Sequence, residues 1–441
     1  MQLPLTAAQA EMWIAQVLDP LNPVYNVADY YEITGPVDAE ILEKADRLAV
    51  DEAGSLGARF VTARRGAPAQ ILGRAEWTFR NVDMSAAPDP DAEALAWMRA
   101  DLLELADIGT GPLLTSALLK LGENRYLWYR RMHHLIVDGY GCAAIARRTA
   151  DLYTALLNGL PYDPNPFGSI AEAVEDDRAY PGSAAQEADR EFWHAQLADW
   201  PATAAPTPAP TATASPAPSP APAATTMNRM SPSRHLDAAA CRALRERADK
   251  LETSPARLLI TMTALFQRAL TGSDEVAFGL PVTGRRTRRM KTVVAPMVGI
   301  VPLRVAFDPD ASIEDAFQRV VAAFQQAMRH QRYRYEDVRR HLMDTQGRSD
   351  VGPLVNILNF DRSLTFGSSR GVVQTLATGP IDDIGYFFDV RPVEDLTSLC
   401  VEAAPARYTQ QEAEDRAEAL ARFITAGVTL DSSAPLRDIT A

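Results

Sequence analysis

The stretch that most restricts how this chain can fold lies near its middle, at Pro201–Thr226. It is built only from Pro, Ala, Thr and Ser and contains eight prolines. Proline fixes φ and has no backbone N–H, so such a run favours extended polyproline-type backbone and cannot form a packed core. The sequence therefore predicts a linker or disordered loop over 201–226, between an N-terminal lobe at 1–200 and a C-terminal lobe at 227–441.

Helix and strand patterns interleave in both halves, which predicts an α/β fold. A chain of 441 residues is also too long for one ordinary core. The predicted helices are 6–18, 39–52, 91–106, 140–157, 237–250, 254–271, 312–329 and 410–426, and the predicted strands are 27–33, 113–121, 125–132, 275–281, 300–306, 354–359 and 399–402. Two lobes of similar content suggest a pseudo-symmetric architecture, although no repeat is visible at the level of residue identity.

The charge of the chain restricts its partners. A formal net charge of −13 disfavours nucleic acid and anionic membranes and favours small-molecule or protein partners. The start lacks a basic region followed by an apolar core, and the longest apolar run, near 293–303, is too short to cross a bilayer, so we expect a cytoplasmic protein. Cys142, Cys241 and Cys400 are widely separated, which favours three reduced thiols over a disulfide or zinc site.

A histidine pair lies where the predicted strand 125–132 turns into the predicted helix 140–157. The turn contains His133, His134, Asp138 and Gly139. A helix N-terminus offers free N–H groups to developing negative charge, and histidine can accept a proton near neutral pH. Adjacent side chains point in different directions, so one histidine can face a substrate and the other is structural. Spacing alone leaves a packed loop or an adventitious metal site equally open, although no third ligand lies nearby.

The turn has no accompanying serine or cysteine nucleophile motif such as G-x-S-x-G. A covalent acyl-enzyme therefore lacks an obvious carrier. If the turn serves acyl transfer, direct attack of an amine or alcohol on a thioester is the simpler scheme.

The segment HHLIVDG resembles the H-H-x-x-x-D-G signature of condensation domains from nonribosomal peptide synthetases. Four further segments resemble motifs of the same family and occur in the family's order: Leu5–Trp13, Pro296–Arg304, His330–Val338 and Gly352–Phe360. The resemblance spans essentially the whole chain. It implies an α/β fold of two chloramphenicol-acetyltransferase-like lobes, arranged as a V-shaped pseudo-dimer with a central tunnel and with the histidine loop at its mid-point.

By the same resemblance, His134 positions or deprotonates the acceptor amine. The Gly139 N–H helps to hold the oxyanion, and Asp138 is chiefly structural. Since His134 faces the substrate, His133 is the structural member of the pair. No cofactor is bound permanently, because the substrates arrive on phosphopantetheine or coenzyme A. The expected partners are a peptidyl carrier protein as acceptor and acyl-CoA or an acyl carrier protein as donor. Residues 435–439 resemble the junction with an adenylation domain, so we expect a piece of a longer synthetase.

Other residues are weaker candidates. Tyr140 follows the motif and could line the tunnel, as could Asn359 and Trp13, although a tryptophan at helical spacing is more often a core residue. The basic residues Arg286, Arg288 and Arg289 could meet the phosphates of coenzyme A or phosphopantetheine. Such a run is more often a solvated loop.

The second family motif is eroded at Gly54–Phe60. Gly57 stands where the family has an arginine that pairs with the motif aspartate, so the partner of Asp138 is open, with Arg59 and Arg285 as candidates. This erosion, the Pro281–Arg285 run and the Leu18–Asn26 segment look similar to starter condensation domains, which acylate the first residue of a lipopeptide.

The sequence leaves four alternative functions open. They are an ordinary peptidyl or aminoacyl condensation domain, a free-standing ester- or amide-forming acyltransferase, an epimerising relative, and a non-catalytic recruitment platform of the same fold. The intact histidines, aspartate and glycine argue against the platform.

Overall fold

The computed structural model of this protein describes residues 1–62, 66–201, 227–358, 363–391, 396–431 and 433–439. The predicted linker, apart from Pro201, lies outside the described residues. The elements before it are β1 (Gln2–Pro4), α1 (Ala7–Leu18), β2 (Asn26–Thr34), α2 (Ala39–Ala53), β3 (Arg59–Thr62), β4 (Pro68–Ile71), β5 (Phe79–Asp83), α3 (Pro90–Leu102), β6 (Leu114–Gly122), β7 (Arg125–His133), α4 (Gly139–Leu157), α5 (Ile170–Ala179) and α6 (Ala184–Leu197).

The part of the chain after the linker contains a second series of helices and strands. They are β8 (Arg229–Met230), β9 (Arg234–His235), α7 (Ala238–Lys250), α8 (Pro255–Thr271), β10 (Glu275–Val282), β11 (Gly299–Ala306), α9 (Ile313–Arg329), α10 (Tyr335–Gln346), β12 (Leu354–Leu358), β13 (Ser363–Phe366), β14 (Ser369–Ala377), β15 (Ile384–Arg391), β16 (Leu396–Ala403) and α11 (Gln410–Gly427).

Several helices begin where their own side chains cap the backbone. Thr6 and Gln9 form a reciprocal capping box at the start of α1, and Thr409 and Glu412 form one at the start of α11. A capping box satisfies two backbone N–H groups that no helical carbonyl can reach. These helix starts are therefore set by local sequence.

The first lobe is a sheet of order β13-β14-β2-β7-β6-β5, in which β2 and β7 are antiparallel and central. Side chains alternate across β7. Trp128 and Met132 join the core beneath α2 and α4, whereas Leu127 and Tyr129 join the core beneath α3. The sheet is covered on both faces, so the end of β7 meets α4 inside the protein.

The second lobe is a sheet of order β11-β10-β12-β15-β16-β8, with β9 also paired to β16. Its largest core cluster includes buried residues of α7, α8, α9 and α11. A small sheet of order β1-β4-β3 adjoins the first lobe. In the described ranges, no helix is long and apolar enough to cross a membrane.

One segment of the C-terminal half crosses over and joins the sheet of the first lobe. The strands β13 and β14 follow the linker in sequence, yet β14 pairs with β2 of the first lobe, with Val373 opposite Tyr31. The chain then leaves Ala377 and joins the second sheet at β15. The predicted division into 1–200 and 227–441 is therefore not a division between sheets, because residues 363–377 complete the sheet of the N-terminal half.

Candidate active site

The segment His133–Gly139 joins the last residue of β7 to the first residue of α4. Asp138 is the N-cap of α4, and its carboxylate accepts a hydrogen bond of 2.9 Å from the Gly141 N–H. Aspartate caps a helix well because it satisfies a free N–H and favours the positive end of the helix dipole. The cap fixes the direction in which α4 leaves the turn.

His133 is fully enclosed in the protein. Its Nε2 lies 3.1 Å from Gln16 Oε1, and its Nδ1 accepts a hydrogen bond of 3.2 Å from the Leu135 N–H. These contacts suit a neutral ring that donates through Nε2. Burial, with the neighbouring charges of His134 and Arg131, lowers the pKa of His133 to about 3. The ring therefore stays neutral and holds the turn, as a structural residue does.

His134 is only half-buried and has a different environment. Its backbone N–H donates to the Tyr25 carbonyl at 2.7 Å, which fixes the main chain. Its ring Nδ1 is buried and has no hydrogen-bond partner among the described residues. Gly379 packs against the ring, and a Cβ at that position would lie 2.9 Å from His134 Cδ2. The turn thus holds one histidine by both ring nitrogens and leaves the other available.

Two cavities meet at His134. The polar cavity, of about 690 Å³, is lined by charged side chains that include Glu11, Asp176, Arg286, Arg332, Arg339 and Asp382. The apolar cavity, of about 370 Å³, is lined by side chains that include Val27, Met132, Ile357, Leu364, Val373 and Phe388. A substrate in either cavity can reach the same imidazole.

Asp138 forms a buried ion pair with Arg285. The two side chains are fully buried and meet through two hydrogen bonds, Nη1 to Oδ2 at 2.8 Å and Nη2 to Oδ1 at 3.0 Å. The Met297 N–H also donates to Asp138 Oδ2 at 2.9 Å. Arg285 Nη2 further donates to the carbonyls of Val293 and Ala295. The pair therefore ties the histidine turn to residues that follow β10 of the second lobe.

The other candidate partner of Asp138 lies elsewhere. Arg59 is in β3, and its side chain is exposed. Gly57 packs against the backbone of residues 73–75, and a Cβ there would lie 2.2 Å from the Gly73 carbonyl oxygen. The backbone at position 57 therefore accommodates glycine and not the arginine that the family motif leads one to expect. Arg285 supplies the guanidinium instead.

The remaining predicted substrate residues have different positions. Tyr140 lines the apolar cavity, and its hydroxyl donates a hydrogen bond of 3.0 Å to the Lys291 carbonyl. The Cζ atom of Arg285 lies 4.4 Å from the centroid of the Tyr140 ring. Gly139 is exposed and starts α4, so its N–H has no helical acceptor. Trp13 packs on the core of the first lobe and lines neither cavity. Asn359 lies outside the described residues.

The basic run is partly neutralised by acidic residues of α5. Arg286 lines the polar cavity and makes a two-pronged contact with Asp176 at 2.6 and 2.8 Å. Arg289 is largely exposed and contacts Glu172 at 3.0 Å. Arg288 is exposed and borders neither cavity. Of the three predicted phosphate contacts, only Arg286 reaches a cavity.

Sequence patterns did not single out Glu402, which lines the apolar cavity from β16. The carboxyl is buried and accepts hydrogen bonds from Thr378 Oγ1 at 2.7 Å and Asn228 Nδ2 at 3.1 Å. Burial raises its pKa to about 7 despite these bonds. Asn228 Nδ2 also donates to the Gly379 carbonyl at 2.6 Å. Glu402 therefore holds the segment that touches His134.

The polar cavity contains a second perturbed carboxyl, on α1. Burial and the neighbouring Glu336 carboxyl raise the pKa of Glu11 to about 9. An isolated glutamate on a predicted helix gives no signal for this in the sequence. Within the described part of the chain, no group of three His, Cys, Asp or Glu side chains is arranged to hold a metal ion.

Comparison with known proteins gives one family match, to the condensation domain, over residues 1–424. A dimodular nonribosomal peptide synthase of Bacillus subtilis (strain 168) is 34% identical over 93% of this chain, and an isonitrile lipopeptide synthase of Streptomyces coeruleorubidus is also 34% identical over 93%. Enterobactin synthase component F of Escherichia coli (strain K12) is 31% identical over 96%. This chain covers only 17%, 27% and 32% of these three proteins, respectively.

Solved structures resemble the whole chain. A mutant starter condensation domain of rhizomide synthetase, in complex with C8-CoA and Leu-SNAC, matches with a TM-score of 0.86 at 30% identity, covering 99% of this chain and 96% of that one. The first condensation domain of the calcium-dependent antibiotic synthetase, in complex with a substrate analogue, matches with a TM-score of 0.90 at 28% identity over 100% of both chains. These matches confirm the predicted α/β fold of two chloramphenicol-acetyltransferase-like lobes.

Proposed function

This chain belongs to the condensation-domain family, whose members are acyltransferases that form amide bonds, and we propose that it acylates the α-amine of a carrier-bound aminoacyl thioester. The predicted enzyme class is confirmed by the family match. The observation that best supports the proposed reaction is the position of His134, half-buried where a polar and an apolar cavity meet.

In the proposed reaction the acceptor amine attacks the thioester carbonyl. A C–N bond forms, the C–S bond breaks, and the proton released by the amine ends on the departing thiolate. His134 orients the amine through Nε2 and can relay this proton, because its Nδ1 is buried away from substrate. The Gly139 N–H at the start of α4 can donate to the oxyanion, aided by the helix dipole.

The thioester is already activated, so holding both substrates at one point supplies much of the acceleration. The His134 imidazole then adds about 10²–10⁴-fold by proton transfer and orientation. We expect His134→Ala to lower the single-turnover rate of amide formation by that factor, with little change in the free energy of unfolding, since His134 is half-buried.

The experiment uses an acyl thioester and an aminoacyl carrier protein, and the product is read by intact mass. His235→Ala is the matched control, because His235 is exposed in β9. The control should retain the wild-type rate. A folded His134→Ala protein with near-normal turnover would contradict the proposed role.

We propose further that the donor is an acyl group, as in a starter condensation domain, rather than an aminoacyl or peptidyl group. The apolar lining of the cavity next to His134 supports an acyl occupant. The rhizomide synthetase domain, at 30% identity, is a starter domain bound to C8-CoA. A direct comparison of octanoyl and aminoacyl donors tests this, and faster transfer of the aminoacyl group would favour an ordinary condensation domain.

The proposed partners follow from the same scheme. A peptidyl carrier protein presents the acceptor, and the donor arrives on coenzyme A or on an acyl carrier protein. Arg286 is the candidate contact for a phosphate, since it borders the polar cavity, although it is held by Asp176. The curated relatives are synthases several times longer than this chain, which supports an adjacent adenylation domain in the intact protein.

A further inference from the structure

The apolar cavity contains a buried arginine that the proposed reaction does not use. Arg130 lies in β7 on the same face as Met132, and it lines the cavity together with His134. Its side chain is 0% exposed. A cavity built for a plain hydrocarbon chain has no need of a guanidinium group in its wall, because burying a charge without full hydrogen bonding is costly.

The guanidinium of Arg130 is unusual because no described residue forms a hydrogen bond with it. Nε, Nη1 and Nη2 of Arg130 are all buried and have no hydrogen-bond partner among the described residues. Arg130 forms an ion pair with Asp46, whose Oδ1 lies 3.6 Å from Arg130 Nη2, which is too long for a hydrogen bond. The guanidinium carbon lies 5.0 Å from the Trp128 ring centroid. Arginine has five N–H donors, and the described part of the chain supplies no acceptor for those of Arg130.

The adjacent arginine on the same strand shows the contrast. Arg131 points to the opposite face of β7 and lines neither cavity. Its Nε donates to Asp101 Oδ2 at 2.7 Å, and its Nη2 donates to Thr115 Oγ1 at 2.8 Å. Of these two adjacent arginines, the one outside the cavities is hydrogen-bonded, whereas the one in the cavity wall has no hydrogen bond to any described residue.

The positive charge of Arg130 does not by itself decide which chemical group of a ligand binds there. Asp46 lies 3.6 Å from Arg130, and Asp29, which also lines the cavity, lies directly opposite Arg130 in the register of β2 and β7. A ligand carboxylate at this point would be repelled by two carboxylates. A hydroxyl group instead can accept from the guanidinium and donate to an aspartate.

We propose that Arg130 forms a subsite for a hydroxyl group carried by the acyl donor. This proposal rests on the proposed function, because it takes the apolar cavity as the acyl site. Arg130 lies three residues before His133, the last residue of β7, so its Cα atom is about 10 Å along the extended strand from the turn that carries His134. The hydroxyl therefore sits on a carbon well beyond the α-carbon of the acyl group.

The test compares octanoyl thioester with hydroxyoctanoyl thioesters that carry the hydroxyl at carbon 3, 5 or 7. All are offered to the wild-type protein with one aminoacyl carrier protein. We expect at least one distal hydroxy isomer to exceed octanoyl in kcat/KM by about 10-fold or more, the factor that one hydrogen bond to a charged group provides. A ratio near one for every isomer would overturn the proposal.

Two variants then assign the preference to a residue. Arg130→Met should bring the ratio of kcat/KM for hydroxy and plain donors to about one. Arg131→Met is the matched control, since it removes a buried arginine from the other face of the strand, and it should keep the wild-type ratio. A preference that persists in Arg130→Met would place the recognition elsewhere.

Two measurements distinguish failure of the hydroxyl subsite from failure of the proposed function. If Arg130→Met does not fold, binding of hydroxyoctanoyl- and octanoyl-CoA to His134→Ala protein is measured by calorimetry, and equal affinities would overturn the subsite. Equal amide formation from all donors would contradict the subsite alone. Failure of every donor to give amide would contradict the proposed function.

Discussion

The ion pair between Asp138 and Arg285 should control both the stability of the protein and the position of His134. The two fully buried side chains share two hydrogen bonds, and Asp138 also accepts from the N–H groups of Gly141 and Met297. Replacing Asp138 by alanine leaves the Arg285 charge buried without its carboxylate. Breaking a buried pair in this way costs about 3–5 kcal/mol, and loss of the helix cap adds about 1 kcal/mol.

We therefore expect Asp138→Ala to lower the free energy of unfolding by roughly 4–6 kcal/mol. This is a large share of the roughly 5–15 kcal/mol that stabilises a typical protein. Urea denaturation monitored by far-ultraviolet circular dichroism measures the loss. Amide formation should fall in the protein that remains folded, because the turn that carries His134 is no longer tied to the second lobe.

A double-mutant cycle separates the orphaned charge from the lost contacts. Arg285→Met alone leaves a buried carboxylate, whereas Asp138→Ala with Arg285→Met leaves neither charge. The double variant should therefore be more stable than the sum of the single effects predicts, by about 2 kcal/mol or more. It should not regain full stability, because the carbonyls of Val293 and Ala295 lose their donor.

Arg59 provides the matched control. It was the alternative partner of Asp138, and its side chain is exposed, so Arg59→Met should change stability by less than about 0.5 kcal/mol. Additive effects of the Asp138 and Arg285 substitutions, or a loss under about 1 kcal/mol for Asp138→Ala, would refute the reasoning that the buried pair holds the turn.

Two further predictions concern the neighbours of His134. The folded pKa of His133, about 3, lies below its ordinary value of 6.5, so the unfolded chain binds more protons between these two values. Stability is therefore lost as the pH falls below 6.5, by up to about 1.4 kcal/mol per unit. His133→Gln should flatten the fall in unfolding free energy between pH 6.5 and 5, measured by urea denaturation, and the exposed His235→Gln should not; equal slopes for all three proteins would contradict this. Gly379→Ala should lower kcat by roughly 10²-fold, because the new Cβ would lie 2.9 Å from His134 Cδ2 and displace the ring. Gly182→Ala is the control, because it also places alanine at a positive φ, of +76, but with open space around the new Cβ. This control should leave kcat unchanged. Equal rates in the two variants would argue against displacement of the ring.

Local sequence was enough to locate most long helices and the histidine turn. The predicted starts at Thr6 and Ser312 fall on residues that cap α1 and α9, and the turn at His133–Gly139 lies between β7 and α4 as predicted. Capping and periodicity depend on residues within a few positions of each other, so they can be read from sequence. The predicted helix over 91–106 extends too far, since α3 ends at Leu102.

Features that depend on distant pairing were not predictable in this way. The strands β13, β14 and β15 were missed, and nothing local indicates that β14 adds to β2 of the other half. Strand pairing is decided by which edge and which apolar face are available after folding. The pairing of β14 with a strand of the other half is therefore decided only in the assembled fold.

The site divides in the same manner. Sequence by itself identified the adjacent histidines, the capping aspartate and the glycine, because these residues lie on one short turn. Only the tertiary structure brought Arg285 to Asp138 across 147 positions and placed Gly379 against His134. It also placed Glu402 and Arg130 in the lining of the apolar cavity, where Arg130 has no hydrogen bond to the described residues. The physical reason is that burial and hydrogen-bond satisfaction belong to the packed chain, whereas a turn and its helix cap are local.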